Sequence, residues 1–152
     1  MEKHDIQYMK IAKIWAENSH ARRNKVGAII VKDNMIISDG YNGMPAGFDN
    51  ECEYEEITHD FDGEGYYSDY ARLVTKPEVL HAEANAITKL AKTTQSSDGA
   101  TLYVTLSPCL ECAKLIIQSG IKRVVYGEVY RSTSGLELLE KAGITLEKLN
   151  IE

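Results

Sequence analysis

From residue 101 onward the chain alternates short β-branched runs with amphipathic segments at helical spacing, and this alternation narrows the possible folds more than any other feature. Residues 101–106 read as a strand, 109–119 as a helix closed by Gly120, and 122–126 as a strand. Residues 133–142 then read as a helix closed by Gly143, and 144–149 as a last strand. Connections this short imply parallel strands joined by right-handed crossovers, so the chain belongs to the α/β class. Upstream, residues 26–31 and 35–38 are apolar runs joined through Lys32-Asp33-Asn34, which predicts a hairpin of two well-buried strands. Tyr8, Ile11, Ala12 and Trp15 form a stripe that predicts an opening helix over 6–16, and Ala82, Ala86, Ile87, Leu90 and Ala91 predict another after Pro77. The expectation is a single domain over residues 1–152, a three-layer α/β/α arrangement with a five-stranded mixed sheet covered by helices on both faces.

Two segments stand apart from that pattern. Gly40-Tyr41-Asn42-Gly43-Met44-Pro45-Ala46-Gly47 holds three glycines and a proline, so its backbone takes special dihedrals or approaches a ligand closely. Residues 48–77 show no sustained period, only acidic residues and the tyrosines Tyr54, Tyr66, Tyr67 and Tyr70. A stretch of this length without regular structure reads as an insertion, which its tyrosines can fold back on the body or bury against another subunit. The net charge of -6 is uneven as well: from Asp33 to Ala71 there are 11 acidic residues and no Lys or Arg, which leaves 12 acidic against 17 basic elsewhere. A mildly basic body suits a small phosphorylated ligand, but no basic stripe is long enough to track a nucleic-acid backbone. No apolar run approaches the roughly 20 residues of a membrane helix, and the first residues lack a signal peptide's basic and apolar regions. Three cysteines, two of them in one Cys-x-x-Cys, make a poor disulfide framework and point to thiol or metal chemistry in a reducing compartment, so a cytoplasmic location is expected.

The chemistry concentrates in His81-Ala82-Glu83 at one helix start and Pro108-Cys109-Leu110-Glu111-Cys112 at another. Each alone has a bland explanation: a capped helix for the first, a half zinc site or redox pair for the second. In the expected fold both helix starts lie at the sheet edge where open α/β sheets place ligands, so the two motifs can meet. One imidazole and two thiolates leave a fourth tetrahedral position open, the pattern of a catalytic zinc rather than a closed structural one. The first turn of a helix favours the thiolate form of Cys109 and Cys112. Glu83, two residues from His81, can then face the open position without binding the metal, as a general acid/base beside an activated water must.

His-x-Glu followed by Pro-Cys-x-x-Cys is the signature of zinc nucleoside and nucleotide deaminases. With the Gly-Tyr-Asn-Gly-Met-Pro loop and Tyr103-Val104-Thr105-Leu106-Ser107-Pro108, the chain resembles the deoxycytidylate (dCMP) deaminase family, in a compact form suggesting a viral or bacterial member. The resemblance implies a cytidine deaminase-like fold and zinc-dependent conversion of dCMP to dUMP and ammonia, which supplies dUMP for thymidylate synthesis. It implies that His81, Cys109 and Cys112 hold zinc, and that Glu83 moves a proton from the attacking water to cytosine N3 and then to the leaving ammonia. Asn42, Tyr130, Ala82 and Pro108 are the implied substrate contacts, Asn42 at the sugar and Tyr130 near the phosphate. The resemblance further implies a homohexamer in the cytoplasm (of the host, for a viral protein), activated by dCTP and inhibited by dTTP with Mg2+. The regulatory nucleotide is then expected at Gly27, Asn42 and Gly43 and at the basic cluster Arg22, Arg23, Asn24 and Lys25, so that one glycine-rich loop touches both sites.

Some phage relatives carry a second, structural zinc near the first loop and the insertion. Here only Cys52, His59 and His20 are candidates and no cysteine stands near Ala21-Arg22, so a complete second site is not expected. Rival functions remain a deaminase acting on tRNA adenosine or on another base or nucleotide, and a silent zinc-binding module. The net acidity disfavours a polynucleotide substrate. The presence of Glu83 disfavours the silent module, because a structural zinc needs no carboxylate outside its ligands.

Overall fold

The architecture comes from a computed structural model, which describes residues 1–151. The chain forms, in order, helix α1 (Asp5–Ala16), strands β1 (Gly27–Lys32) and β2 (Met35–Tyr41), strands β3 (Glu53–Phe61) and β4 (Tyr67–Thr75), helix α2 (Ala82–Lys89), strand β5 (Thr101–Leu106), helix α3 (Leu110–Gln118), strand β6 (Arg123–Glu128), helix α4 (Ser134–Lys141) and strand β7 (Thr145–Lys148). Five strands make one mixed sheet in the order β2-β1-β5-β6-β7. The strands β5, β6 and β7 are parallel, and β1 runs antiparallel to both of its neighbours.

Alternation along the strands sorts the core into two layers. Ala28, Ile30, Leu102, Val104 and Val124 face α2, α3 and α4, while Ile29, Val31, Tyr103 and Val125 face α1. The α/β class and the helix cover on both faces therefore stand as the sequence suggests. Asp33 and Asn34 both have positive φ, 51° and 59°, so the β1–β2 link is a two-residue turn of the primed kind that matches strand twist. No helix is long and apolar enough to cross a membrane among the described residues.

Three expectations need correction. The strand β2 is not well buried: Met35 and Ile36 are 57% and 45% exposed, because β2 lies at the sheet edge. On α1 the buried stripe is Asp5, Met9, Ala12 and Ala16, while Tyr8, Ile11 and Trp15 are only partly buried at its flank. The segment 48–77 is not irregular either. Its two nine-residue strands pair antiparallel from Glu53↔Thr75 to Phe61↔Tyr67 as a separate hairpin. Most of both its faces are exposed, so neither face needed an apolar repeat and the strand period left no trace in the residue pattern.

Candidate active site

The helices α2 and α3 begin at the same end of β5, and their caps are the two metal-binding motifs. His81 is the N-cap of α2 and Cys109 that of α3, with neither side chain capping its own helix, so both are free for another partner. Cys112 follows in the first turn of α3. His81 Nδ1 lies 3.4 Å from both Cys109 Sγ and Cys112 Sγ, and the three donor atoms lie within 4.8 Å of one another. Zinc held tetrahedrally at about 2.3 Å from sulfur and about 2.0 Å from nitrogen separates such donors by about 3.5 Å. The donor set thus fits zinc in both chemistry and spacing, and it is the one such three-donor group among the described residues.

Two close approaches fix these helix starts. A Cβ on Gly135, in the first turn of α4, would lie 2.1 Å from the Pro108 carbonyl and 2.8 Å from that of Cys109. A Cβ on Gly40 would lie 2.4 Å from the Ala82 carbonyl. Ala82 and Pro108 are fully buried; Ala82 contributes to the cavity wall, and Pro108, also expected at the substrate, is not among its lining residues. Gly43 and Leu80 exchange backbone hydrogen bonds of 3.0 and 2.8 Å, which ties the glycine-rich loop to the residue before His81. Gly43 itself has no positive φ and open space where a side chain would project. Gly47, at the end of the same loop, does take a positive φ of 89°, as the glycine content suggests.

The cluster opens on a cavity of about 300 Å³. His81, Glu83, Cys109, Asn42 and Tyr130 all line it, so the substrate-side residues expected from sequence are brought together. Glu83 is 3% exposed, and burial pushes its carboxyl up to about 7, close to where a general acid/base works at neutral pH. The hydrogen bond from Cys112, and after it that from His81, holds Cys109 down to about 3 despite partial burial, whereas Cys112 is pushed up by the same pairing and by burial. His81 is raised by its contact with the Cys109 sulfur. A dication bound between the two sulfurs would stabilise both as thiolates.

Asn42 holds main chain with both ends of its amide. Oδ1 accepts from Val26 N at 2.9 Å and Nδ2 donates to the Asn24 carbonyl at 2.8 Å. Tyr130 is positioned through its backbone N–H, which donates to the buried Ser107 hydroxyl at 2.6 Å, and the Arg131 guanidinium lies 5.4 Å from its ring centroid.

The residues expected at a regulatory nucleotide do not share one pocket. Arg23 and Asn24 reach the main cavity, Lys25 lines a smaller one with Lys13 and Glu128, and Arg22 a third with His20 and Asn50. Gly27 packs under α1, where a Cβ would meet the Ala12 carbonyl at 2.0 Å. Of the other metal candidates, Cys52 is a buried thiol on the cavity wall, and exposed His59 pairs with Asp69 across the hairpin. Sequence reasoning missed Glu53, Thr75, Ser107 and Arg131, all of which line the cavity. Arg131 was signalled by its charge next to Tyr130, and Ser107 stands within the run 103–108 with no role assigned to it; Glu53 and Thr75 carry no motif.

An α/β/α sheet that gathers a three-donor metal cluster and a separate buried glutamate at one edge defines a metal-dependent hydrolytic deaminase. The pattern of the family described as cytidine and deoxycytidylate deaminase zinc-binding region matches residues 2–128, and the chain belongs to that family of enzymes. It is 38% identical to the deoxycytidylate deaminase of Enterobacteria phage T4, over 95% of this chain and 93% of that one. It is equally 38% identical to the deoxycytidylate deaminase of Homo sapiens, over 93% of this chain and 76% of the human one. The dCMP deaminase of cyanophage S-TIM5, solved in complex with dCMP and dUMP, superposes with a TM-score of 0.83 at 40% identity, covering 98% of this chain and 99% of that one.

Proposed function

We propose that the chain hydrolyses dCMP to dUMP and ammonia. The observation that carries this reading is one cavity joining the His81, Cys109, Cys112 and Glu83 cluster to two arginines, Arg23 and Arg131, suited to a phosphate monoester. Relatives named for the same reaction support it. His81, Cys109 and Cys112 would hold zinc, which would supply an activated water by lowering its pKa toward about 7. The Glu83 carboxylate takes the first proton of that water and delivers it to cytosine N3 as oxygen adds to C4. It then carries the remaining hydroxyl proton to the exocyclic nitrogen, the C4–N4 bond breaks, and ammonia leaves while the C4 carbonyl forms. Burial of Glu83 keeps bulk water from competing for the proton at each step. Reduced thiols at the metal suit a cytoplasmic enzyme whose dUMP feeds thymidylate synthesis.

Regulation by dCTP and dTTP with Mg2+, and assembly into a hexamer, belong to the same proposal. Asn42 grips residues 24 and 26 while Gly43 bridges to Leu80 beside His81, so a ligand that shifts this loop acts on the substrate cavity and the metal cluster together. Ammonia release from dCMP, dCTP, deoxycytidine, cytidine and tRNA, each with and without dCTP or dTTP plus Mg2+, tests the whole reading. Preferred turnover of dCMP is expected, with half-saturation moved roughly 5- to 150-fold between the two triphosphates. Preferred turnover of tRNA or of a nucleoside overturns the substrate assignment. Identical saturation curves with either triphosphate overturn the regulation alone.

A further inference from the structure

The loop between α1 and β1 has no helix or strand of its own, yet two side chains from elsewhere hold four of its backbone groups. Asn42 takes the Asn24 carbonyl and Val26 N–H, and Glu53 Oε1 accepts from Arg22 N at 2.8 Å and Arg23 N at 3.1 Å. Glu53 is the first residue of β3 and stands opposite Thr75 of β4. Thr75 Oγ1 in turn accepts from Arg23 Nη1 at 3.1 Å. The first rung of the hairpin therefore holds Arg23 twice, through its main chain and through its guanidinium.

The carboxylate is an expensive choice for such a rung. The Glu53 side chain is 1% exposed, and its Oε2 has no hydrogen-bond partner, with Arg22 Nε 3.7 Å away. A buried carboxylate with an unpaired oxygen costs stability that a neutral acceptor would not. Its hydrogen bonds go to main-chain N–H groups and its nearest cation is Arg22, so the Arg23 guanidinium forms no ion pair among the described residues. Arg23 has other N–H donors besides the one engaged by Thr75, and the residue lines the cavity.

We propose that Glu53 is a positioning residue for phosphate recognition. With Thr75 it sets the 22–24 loop so that an uncompensated Arg23 guanidinium faces the substrate's phosphate, and the acidic hairpin becomes the part of the chain that separates a nucleotide from a nucleoside. This inference rests on dCMP being the substrate.

The test is steady-state kinetics on zinc-loaded wild type, Glu53→Ala, Glu53→Gln and Thr75→Val, with dCMP and deoxycytidine as substrates and inorganic phosphate as a competitive inhibitor of dCMP. In Glu53→Ala the KM for dCMP and the inhibition constant of phosphate should both rise by at least about tenfold, the scale of a lost hydrogen bond to a charged group, while kcat moves far less. The deoxycytidine value should change far less than the dCMP value, and Glu53→Gln, whose carbonyl still accepts both N–H groups, should recover most of the loss. Thr75→Val should raise the dCMP KM severalfold in the same direction. Equal loss on dCMP and deoxycytidine in Glu53→Ala reveals a role in folding only and overturns the proposal, as does an unchanged dCMP KM. If Glu53→Ala does not fold, Thr75→Val decides, and an unchanged dCMP KM there overturns it. A wild type with no preference for dCMP over deoxycytidine overturns the substrate reading itself, whereas a preference that survives every variant overturns the positioning role alone.

Discussion

Glu83 and Glu53 line the same cavity, both nearly inaccessible to solvent, and differ in what their oxygens meet. Glu53 accepts two main-chain N–H groups, a fixed arrangement suited to holding a loop. Glu83 stands beside the metal cluster with its carboxyl raised to about 7 by burial, an arrangement suited to gaining and losing a proton. Glu83→Gln keeps the shape and removes the proton carrier. Turnover should fall at least about 10²-fold with one zinc per chain retained, as read by metal analysis beside the ammonia assay. Cys109→Ala should lose metal and activity together, because two protein ligands remain; full zinc occupancy in that variant would refute the ligand set. His81, Glu83, Cys109 and Cys112 were legible because metal and proton chemistry demand particular residue types at fixed spacing. Glu53, Thr75 and Ser107 were not, since they act through hydrogen bonds to residues 23 to 52 positions away in the chain.

At the scale of elements, α1 is fastened to the sheet by a buried ion network rather than by apolar contact alone. Asp5 Oδ2 accepts from Arg123 Nη2 at 2.6 Å, and Asp5 Oδ1 accepts from the Tyr103 hydroxyl at 2.6 Å. Burial by itself would raise the Asp5 carboxyl, but the hydrogen bonds from Arg123 and Tyr103 outweigh it and hold it at about 2 against an ordinary 3.8. A depressed carboxyl stabilises the fold fully above its unfolded value and loses that contribution as pH falls through its folded value. Stability should therefore drop by about 2 kcal/mol between pH 4 and pH 2. In Asp5→Asn, unfolding by urea should show a lower stability at pH 7 and a flatter profile across that window; an unchanged profile would remove Asp5 as the cause. Gly27 tests the same contact from the strand side. Its Cβ would collide with the Ala12 carbonyl, so Gly27→Ala should cost at least about 2 kcal/mol in the same assay, and wild-type stability would show that α1 can shift freely. The run from β5 to β7 could be read from sequence because strands covered on both faces need continuous apolar residues, as Leu102 to Val104 and Val124 to Val125 show. The strands β3 and β4 could not, because Tyr54, Ile57 and Phe61 are about half exposed and no core imposed a period on them.

For the whole molecule, the hairpin is also where the charge lies. Residues 53–75 hold seven acidic side chains against one arginine, so this segment alone accounts for the net charge of -6 and the rest of the chain is balanced. An isolated two-stranded sheet is marginal in water, and this one exposes Ile57, Phe61, Tyr66 and Tyr67 at 63%, 56%, 72% and 76%. Such a surface calls for cover, which fits the proposed assembly of identical chains. Two hairpins facing each other would set like charges together, so each hairpin should lie against the neutral body of a second copy. Sedimentation should then show a species well above 17.0 kDa, with six chains as the expected state. Replacing Tyr66 and Tyr67 together by Ser, far from the metal cluster in sequence and at the hairpin's tip, should shift the protein toward 17.0 kDa while zinc content stays at one per chain. A wild type that sediments as a 17.0 kDa monomer at every concentration would refute the assembly, and hexamers that persist in the double variant would move the contact elsewhere on the surface.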